Sequence, residues 1–510
     1  MSEPSSRRRR GRTSGRTVAP HRSAVYRHLR HPFAPQSVFS EDEIASLHDT
    51  ALRVLQDLGL RILLPEAREI FAAAGAIVRD DMVYIGRDIV TGALATAPSG
   101  FTLNAANPDR ALSYAPGSLI FKAGAGCPNA SDLERGRRPG TLEAFEETLK
   151  LCQSFDVIHS FGPCVEPQDV PIQFRHYAMT RAQLTLGDKP MFVYARGRGQ
   201  VEEAFELIRI GLNLSDDDFA DGIWASTNIN TNSPRLIDRP MAQGIIDFAR
   251  AGQMAVITPF CLAGAMAPVT VAGALTLQHA EALAGISLSQ LARPGAPVSY
   301  GGFSSNVDMK SGSPAFGTPE MTRMQIGSGQ LARLIGLPWR SAAGSASNAP
   351  DMQAANENDM GLWGCMMSNA TLVVHAAGWL EGGLSFGYEK FINDVEMLQS
   401  LAELCQPADA TADAIGFDAL AEVAPGGHFF ATAQTMDRYE TAFYTPLVAN
   451  LDNHGSWTES GAKTSCERAT AIWKDVLTQF SPPVSAAPVQ ERIARLISDH
   501  EKRGGTLPLD

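Results

Sequence analysis

Val298-Ser299-Tyr300, then Gly301-Gly302-Phe303-Ser304-Ser305-Asn306, then Thr318-Pro319-Glu320, then Trp339-Arg340-Ser341-Ala342 reads as an apolar run, a loop of small residues, a helix start and a second apolar run. The helix start is explicit. Thr318 is an N-cap type, Pro319 sits at the first helical position where its missing N–H is harmless, and Glu320 brings the charge a helix N-terminus favours. Working outward, the same unit recurs, with runs at Leu119–Phe121, Val157–Phe161, Met191–Tyr194, Ile223–Ser226, Ala255–Thr258, Val298–Tyr300, Trp339–Ala342 and Leu372–His375. The spacing predicts a helix after each, starting near Thr141, Ile172, Val201, Asp238, Thr270, Thr318, Asp351 and Ser385. Eight β-then-α units in about 285 residues is the arithmetic of an α/β protein of the (β/α)8 TIM-barrel type. An open doubly wound sheet is the second choice, because no G-x-G-x-x-G follows the first strand.

On either side the texture changes. Ser40-Glu41-Asp42-Glu43 is a capping box ahead of Ile44, Leu47, Leu52 and Leu55, so a helical N-terminal cap precedes the barrel. After Cys405 the pattern turns irregular and then helical from Ser460 to Gln479. The expected division is a basic arm over 1–39, the helical cap over 40–113, the barrel over 114–405 and a helical C-terminal extension over 406–510 packing on the barrel.

Composition narrows the function. A net charge of −12 over 510 residues argues against a nucleic-acid binder, although residues 1–30 hold nine Arg against Glu3 alone. No apolar run follows Arg7-Arg8-Arg9-Arg10 before Pro32, so a signal peptide is not indicated and a cytoplasmic location is expected. The arm is either a solubilising tail or a contact for an acidic partner. Seven Cys without a C-x-x-C pair suggest reduced thiols rather than a disulfide framework. The uncharged stretch Ala251 to Ala280 is broken by Pro259, Gly264 and Pro268, which fits a buried strand and helix better than a membrane span.

In a barrel the site lies on the loops after the strands. These loops are rich in Gly, Ser, Ala and Asn and poor in acids and bases, so the mouth does not read as a general acid–base site. His159, Cys164, Cys261 and His375 come from four strand ends, but no local spacing supports zinc, and no metal is expected. A phosphate cradle at Gly382-Gly383 ahead of a helix is a further reading. The richest stretch is His375-Ala376-Ala377-Gly378-Trp379-Leu380-Glu381-Gly382-Gly383-Leu384-Ser385-Phe386-Gly387-Tyr388-Glu389. A quaternary ammonium cannot donate a hydrogen bond and is best held by aromatic faces, at about 0.5 to 2 kcal/mol each. His375, Trp379, Glu381, Phe386 and Tyr388 are the candidates, with Phe121 and Tyr300 completing a cage; packing against the barrel is the competing role for each aromatic. Asn228, Asn348 or an Arg at the mouth would receive a carboxylate.

Several stretches resemble the trimethylamine/glycine betaine:corrinoid methyltransferase family: Leu58-Gly59-Leu60-Arg61-Ile62, Asp351-Met352-Gln353 with Glu357, Ala377-Gly378-Trp379-Leu380-Glu381-Gly382-Gly383-Leu384, and Met436-Asp437-Arg438-Tyr439 through Trp457. The likeness spans nearly the whole chain, with Gln434 where many relatives have His. It implies a (β/α)8 barrel that moves a methyl group from an amine to the Co(I) centre of a separate corrinoid protein, with no corrinoid permanently bound. No catalytic acid or base is required, since Co(I) is the nucleophile and the enzyme positions the methyl donor. Relatives acting on trimethylamine carry pyrrolysine, whereas all residues here are standard, so a quaternary amine such as glycine betaine is the expected donor. A homo-oligomer is also expected, without nucleic-acid or membrane partners. A trimethylamine-specific enzyme, a zinc-dependent or phosphometabolite barrel and a non-catalytic betaine binder stand as alternatives.

Overall fold

In the computed structural model, which describes residues 26–509, seven of the eight expected runs are parallel strands of one sheet. They are β2 (Ser118–Phe121), β3 (Met191–Phe192), β4 (Ala225–Ile229), β5 (Met254–Ile257), β6 (Val298–Gly301), β7 (Trp339–Ala342) and β8 (Leu372–Val374), with β1 (Leu29–Arg30) added antiparallel to β2. The spatial order is β1-β2-β8-β7-β6-β5-β4-β3. Arg7–Arg10 lie outside the described residues.

The run Val157–Phe161 departs from expectation. It makes a single bridge, Ser160 to Lys122, and no strand. Even so, it bonds to both outermost parallel strands: the His159 amide donates to Phe121 O at 2.9 Å and the Phe161 amide to Pro190 O at 3.2 Å, next to β3. Side chains take the bonds a ladder would have used. The Phe121 amide goes to His159 Nδ1 at 3.0 Å, and Lys189 Nζ donates to the carbonyls of Cys152, Phe155 and Ile158 at 2.6 to 2.9 Å.

The helices are α1 (Glu41–Arg53), α2 (Pro65–Ala73), α3 (Arg87–Thr96), α4 (Leu142–Ser154), α5 (Arg175–Leu186), α6 (Arg198–Gly211), α7 (Arg239–Arg250), α8 (Val271–Ala292), α9 (Pro319–Leu334), α10 (Met352–Ser368), α11 (Tyr388–Leu404), α12 (Ser465–Gln479) and α13 (Val489–Lys502). Most begin where the caps indicate. Ser40 and Glu43 form the capping box, and Thr141, Asp238, Thr270, Thr318 and Asp351 each accept a first-turn amide. Ser385 does not start a helix. Ser385–Gly387 instead pairs antiparallel with Trp379–Leu380 and parallel with Asn129–Asp132, so α11 begins at Tyr388 and the proposed phosphate cradle loses its helix. The cap over 40–113 is also less purely helical than expected: β-prone Ile77–Arg79 and Met82–Tyr84 pair, and Leu60–Ile62 joins them. Among the described residues no helix is long and apolar enough to cross a membrane; Ala251 to Ala280 holds β5 and the start of α8.

Strand alternation divides the sheet into two faces. Ile120, Met254, Val256, Leu372 and Val374 form an inner cluster with Leu103, Leu112 and Tyr114 of a hairpin, while Leu119, Phe121, Ile257, Val298, Tyr300 and Val373 pack in the outer layer with the helices. Arg340 is the cross-strand partner of Leu372, which pairs with Ile120, so Arg340 shares the inner face; Lys122, two residues beyond Ile120, does too. The stretch 157–161 is held by Lys189. Lys189→Met strands three buried carbonyls and is expected to lower stability by about 3 kcal/mol, read as a lower urea midpoint at unchanged slope.

Candidate active site

The loop after β8 is fixed before any ligand arrives. Gly378 N donates to Asp394 Oδ2 at 2.8 Å, and Asp394 is ion-paired with Lys390 one helical turn back on α11. Asn358 on α10 ties two loops together, accepting from Gly344 N at 2.8 Å and donating to Ala376 O at 3.2 Å. Trp379 lies in a slot whose walls are backbone. A Cβ at Gly344 (φ 105°) would fall 2.3 Å from Trp379 Cε3, and one at Gly383 (φ 103°) 2.5 Å from Cζ2. Both positions need glycine for space and for backbone angle.

His375 stacks on Trp379 with centroids 4.5 Å apart, and Phe303 and Phe316 meet the indole edge to face at 5.7 and 5.0 Å. Phe260, Phe303 and Phe316 form a stacked row at 4.9 and 5.6 Å, with Phe260 and Phe303 partly exposed. Arg340 lies under this row, its Cζ 5.0 Å from the Phe303 centroid. Opposite, Lys122 Nζ sits 4.5 Å from the Phe192 centroid.

The electrostatics of this hollow are one-sided. Arg340 Nε and Nη1 are buried without a partner, and Nη2 faces only His375 Nε2 at 3.4 Å. His375 Nδ1 accepts the Ala125 amide at 3.2 Å, so the neutral ring carries its proton on Nε2 and offers Arg340 no acceptor. Burial pushes Arg340 down to about 9 and Lys122 down to about 7. His375 is held well below its usual value by burial and then by the nearby Arg340 and Lys122 charges, which keeps it neutral. Ser160 Oγ and Thr258 Oγ1 are likewise buried and unpartnered. Such a set suits an anionic group buried beside an aromatic surface.

The sequence candidates divide accordingly. His375 and Trp379 are in the cluster, although Trp379 is only 4% exposed, with His375 on one face and glycine backbone around it. Asn228 shares the inner face as the partner of Val256, and Asn348 is exposed on its loop. Phe121 and Tyr300 are not brought in. They have the other strand parity: Phe121 packs toward His159, and the Tyr300 hydroxyl meets Gln278 and His279 of α8, each at 3.2 Å. Glu381 is committed to Arg137 Nε at 2.9 Å and to Ser385 Oγ at 2.8 Å. Phe386 packs against Phe391, and the Tyr388 hydroxyl donates to Glu147 at 2.5 Å beside Trp473 of α12, so both anchor the extension. His159, Cys164, Cys261 and His375 do not converge; Cys164 lies 3.8 Å from Cys152 and Cys261 3.2 Å from Ser233 Oγ. Among the described residues no three His, Cys, Asp or Glu side chains form a metal-binding group.

Sequence reasoning passed over Lys122, Phe260, Phe303, Phe316 and Arg340. Two carried a signal: a Lys closing Leu119-Ile120-Phe121-Lys122 and an Arg inside Trp339-Arg340-Ser341-Ala342 are charges embedded in buried strands.

Comparison with known proteins agrees with the resemblance. Residues 5–505 match the trimethylamine methyltransferase (MTTB) family. The glycine betaine methyltransferase of Desulfitobacterium hafniense (strain Y51) is 32% identical over 92% of this chain and 98% of its own length. The trimethylamine methyltransferase MttB of D. hafniense (strain DSM 10664 / DCB-2) is 27% identical over 89% of this chain and 91% of its own. A proline betaine:corrinoid methyltransferase from Eubacterium limosum is 26% identical over 87% and 96%. A full-length family match and a relative above 30% identity, joined to a hollow that binds rather than protonates, make this chain a methyltransferase of the MTTB family.

Proposed function

We propose that the protein transfers a methyl group from a zwitterionic quaternary amine of the glycine betaine type to the Co(I) of a corrinoid held by a separate protein. The observation that carries this reading is the Arg340 guanidinium, buried without an acceptor beneath the row Phe260, Phe303 and Phe316. A betaine has one group for each feature. Its carboxylate would fill the positions at Arg340 and Lys122, and its ammonium, which can accept no hydrogen bond and donate none, would lie against the phenylalanine faces. Trimethylamine has no group for Arg340. The similarity to a glycine betaine methyltransferase supports the same choice.

The chain's own task is orientation. With the carboxylate drawn inward, an N-methyl carbon points outward to the acceptor. A quaternary nitrogen leaves as a neutral tertiary amine, so no proton has to be delivered, in keeping with a neutral His375 and with loops poor in acids. Trp379 serves as a wall that holds His375 and Phe303 in place rather than as an open face for the cation.

The same reading treats the sheet as a (β/α)8 barrel whose eighth position is 157–161, with the arm, cap, barrel and extension at 1–39, 40–113, 114–405 and 406–510. A cytoplasmic homo-oligomer that meets a corrinoid protein at the strand ends, without a corrinoid of its own, belongs to the same proposal.

Methyl-cobalamin formation from free Co(I) cobalamin, followed optically with a panel of donors, tests it. Arg340→Met is expected to weaken glycine betaine by on the order of 100-fold, about 3 kcal/mol, and to leave tetramethylammonium transfer nearly unchanged. Equal loss for both donors, or none for betaine, would contradict the carboxylate assignment. Phe303→Ala, by contrast, is expected to weaken both. A pH dependence follows from Lys122, pushed down to about 7. Below that pH it is charged and receives the carboxylate directly; above it, binding has to take up a proton. The KM for betaine is therefore expected to rise above neutral pH, by up to about tenfold per unit, and Lys122→Met should flatten the profile.

A further inference from the structure

Residues 406–451 link α11 to the stretch before α12, and their short helices bond mainly to one another. Gln434 Nε2 donates to Asp413 O at 2.8 Å, and Arg438 pairs with Asp413. The segment meets α11 again where the Tyr444 hydroxyl donates to Glu396 at 2.7 Å and the Val448 amide donates to the same carboxylate. Between these points large apolar side chains stand in solvent: Phe417 is 73% exposed, Phe430 78%, Phe443 83% and, just beyond, Leu451 83%, with Ile415 and Tyr439 also exposed. At about 150–250 Å² for each aromatic residue, the set leaves on the order of 1,000 Å² uncovered. An ordinary monomer rarely shows so much, whereas a standard interface needs about 800 Å² from each partner.

Position and charge select the occupant. The segment leaves α11 at its C-terminal end, about 25 Å along the helix from Tyr388, which adjoins the mouth strands. A methyl acceptor has to face that mouth, so it is not the natural partner for this flank. The segment also carries six carboxylates against Arg438, a net of −5, while residues 1–25 carry seven Arg against Glu3. The same chain thus supplies both signs. We infer that residues 406–451 form an interface with a second copy of this chain, apolar side chains meeting across it and the arginine-rich start of one copy supplying charge to the carboxylates of the other. A self-complementary patch of this kind closes as a symmetric pair.

Sedimentation equilibrium of the full chain is expected to give at least twice the monomer mass. The combined Phe417→Asp, Phe430→Asp and Phe443→Asp variant should sediment as a monomer with the same melting temperature and the same rate toward free Co(I) cobalamin. Removal of residues 1–25 should weaken association and flatten its salt dependence. A photo-crosslinking residue at position 443 in the otherwise unchanged chain, which does not depend on the acidic variant folding, should capture a second copy. A native chain that is monomeric at every concentration, or an acidic variant that stays associated, would overturn the inference. So would an unchanged mass with loss of transfer only to the corrinoid-bearing protein, since the surface would then belong to that partner.

Discussion

A buried guanidinium with no acceptor sets the terms for everything around it. Taking Arg340 out of water is expensive, and the usual remedy, a carboxylate alongside, is missing. His375 offers it an N–H, and Phe303 only the negative face of a ring. The protein holds this charge with part of its folding free energy, as the depressed values of Arg340 and Lys122 register. An anion entering the hollow recovers that energy as binding. The surroundings make sense as the means of keeping the two cations dry, close to the aromatic row and away from the protein's own acids.

The nearest acids are all occupied elsewhere. Asp394 takes Lys390 and the Gly378 amide, Glu381 takes Arg137 and Ser385, and Glu147 takes Tyr388 and Arg135. Each of these pairs fixes a piece of backbone around the mouth. Asp394 holds the turn that presents Trp379; Glu381 secures the strand pair 379–380 with 385–387; Glu147 draws the start of α11 onto α4. Carboxylates that anchor the loops are therefore also carboxylates kept out of the hollow.

How much of this was legible depends on what each residue's role rests on. Helix starts were, because a cap is a local bond: Thr318, Asp351 and Asp238 sit next to the amides they accept. Seven strands were, because short apolar runs between helices have few other fates. The eighth was not, since His159 and Lys189, side chains with no strand signature, take its bonds. Parity was the costliest gap. A parallel strand buried on both faces gives no alternation to read, so Phe121 and Tyr300 could be placed at strand ends but not on a face, and both fall one residue from the inner side. Lys122, next to Phe121, is the residue that points inward. Trp379 and Glu381 share a loop, yet a strand turn separates them so that one packs on His375 and the other on Arg137.

The pattern of charge also accounts for what the chemistry omits. Protonating a leaving amine needs an acid of suitable strength at the nitrogen, and this hollow has none: His375 is held neutral by the same cations that would receive a carboxylate. The two functions compete. Charges that pull an anion inward lower the proton affinity of every neighbouring base, so a site built this way suits a donor that already bears its positive charge. A quaternary nitrogen meets that condition at every pH, and the amine it leaves behind departs uncharged. Binding strength and the lack of a proton donor are thus consequences of one arrangement, Arg340 and Lys122 buried on the inner face with aromatic rings above them.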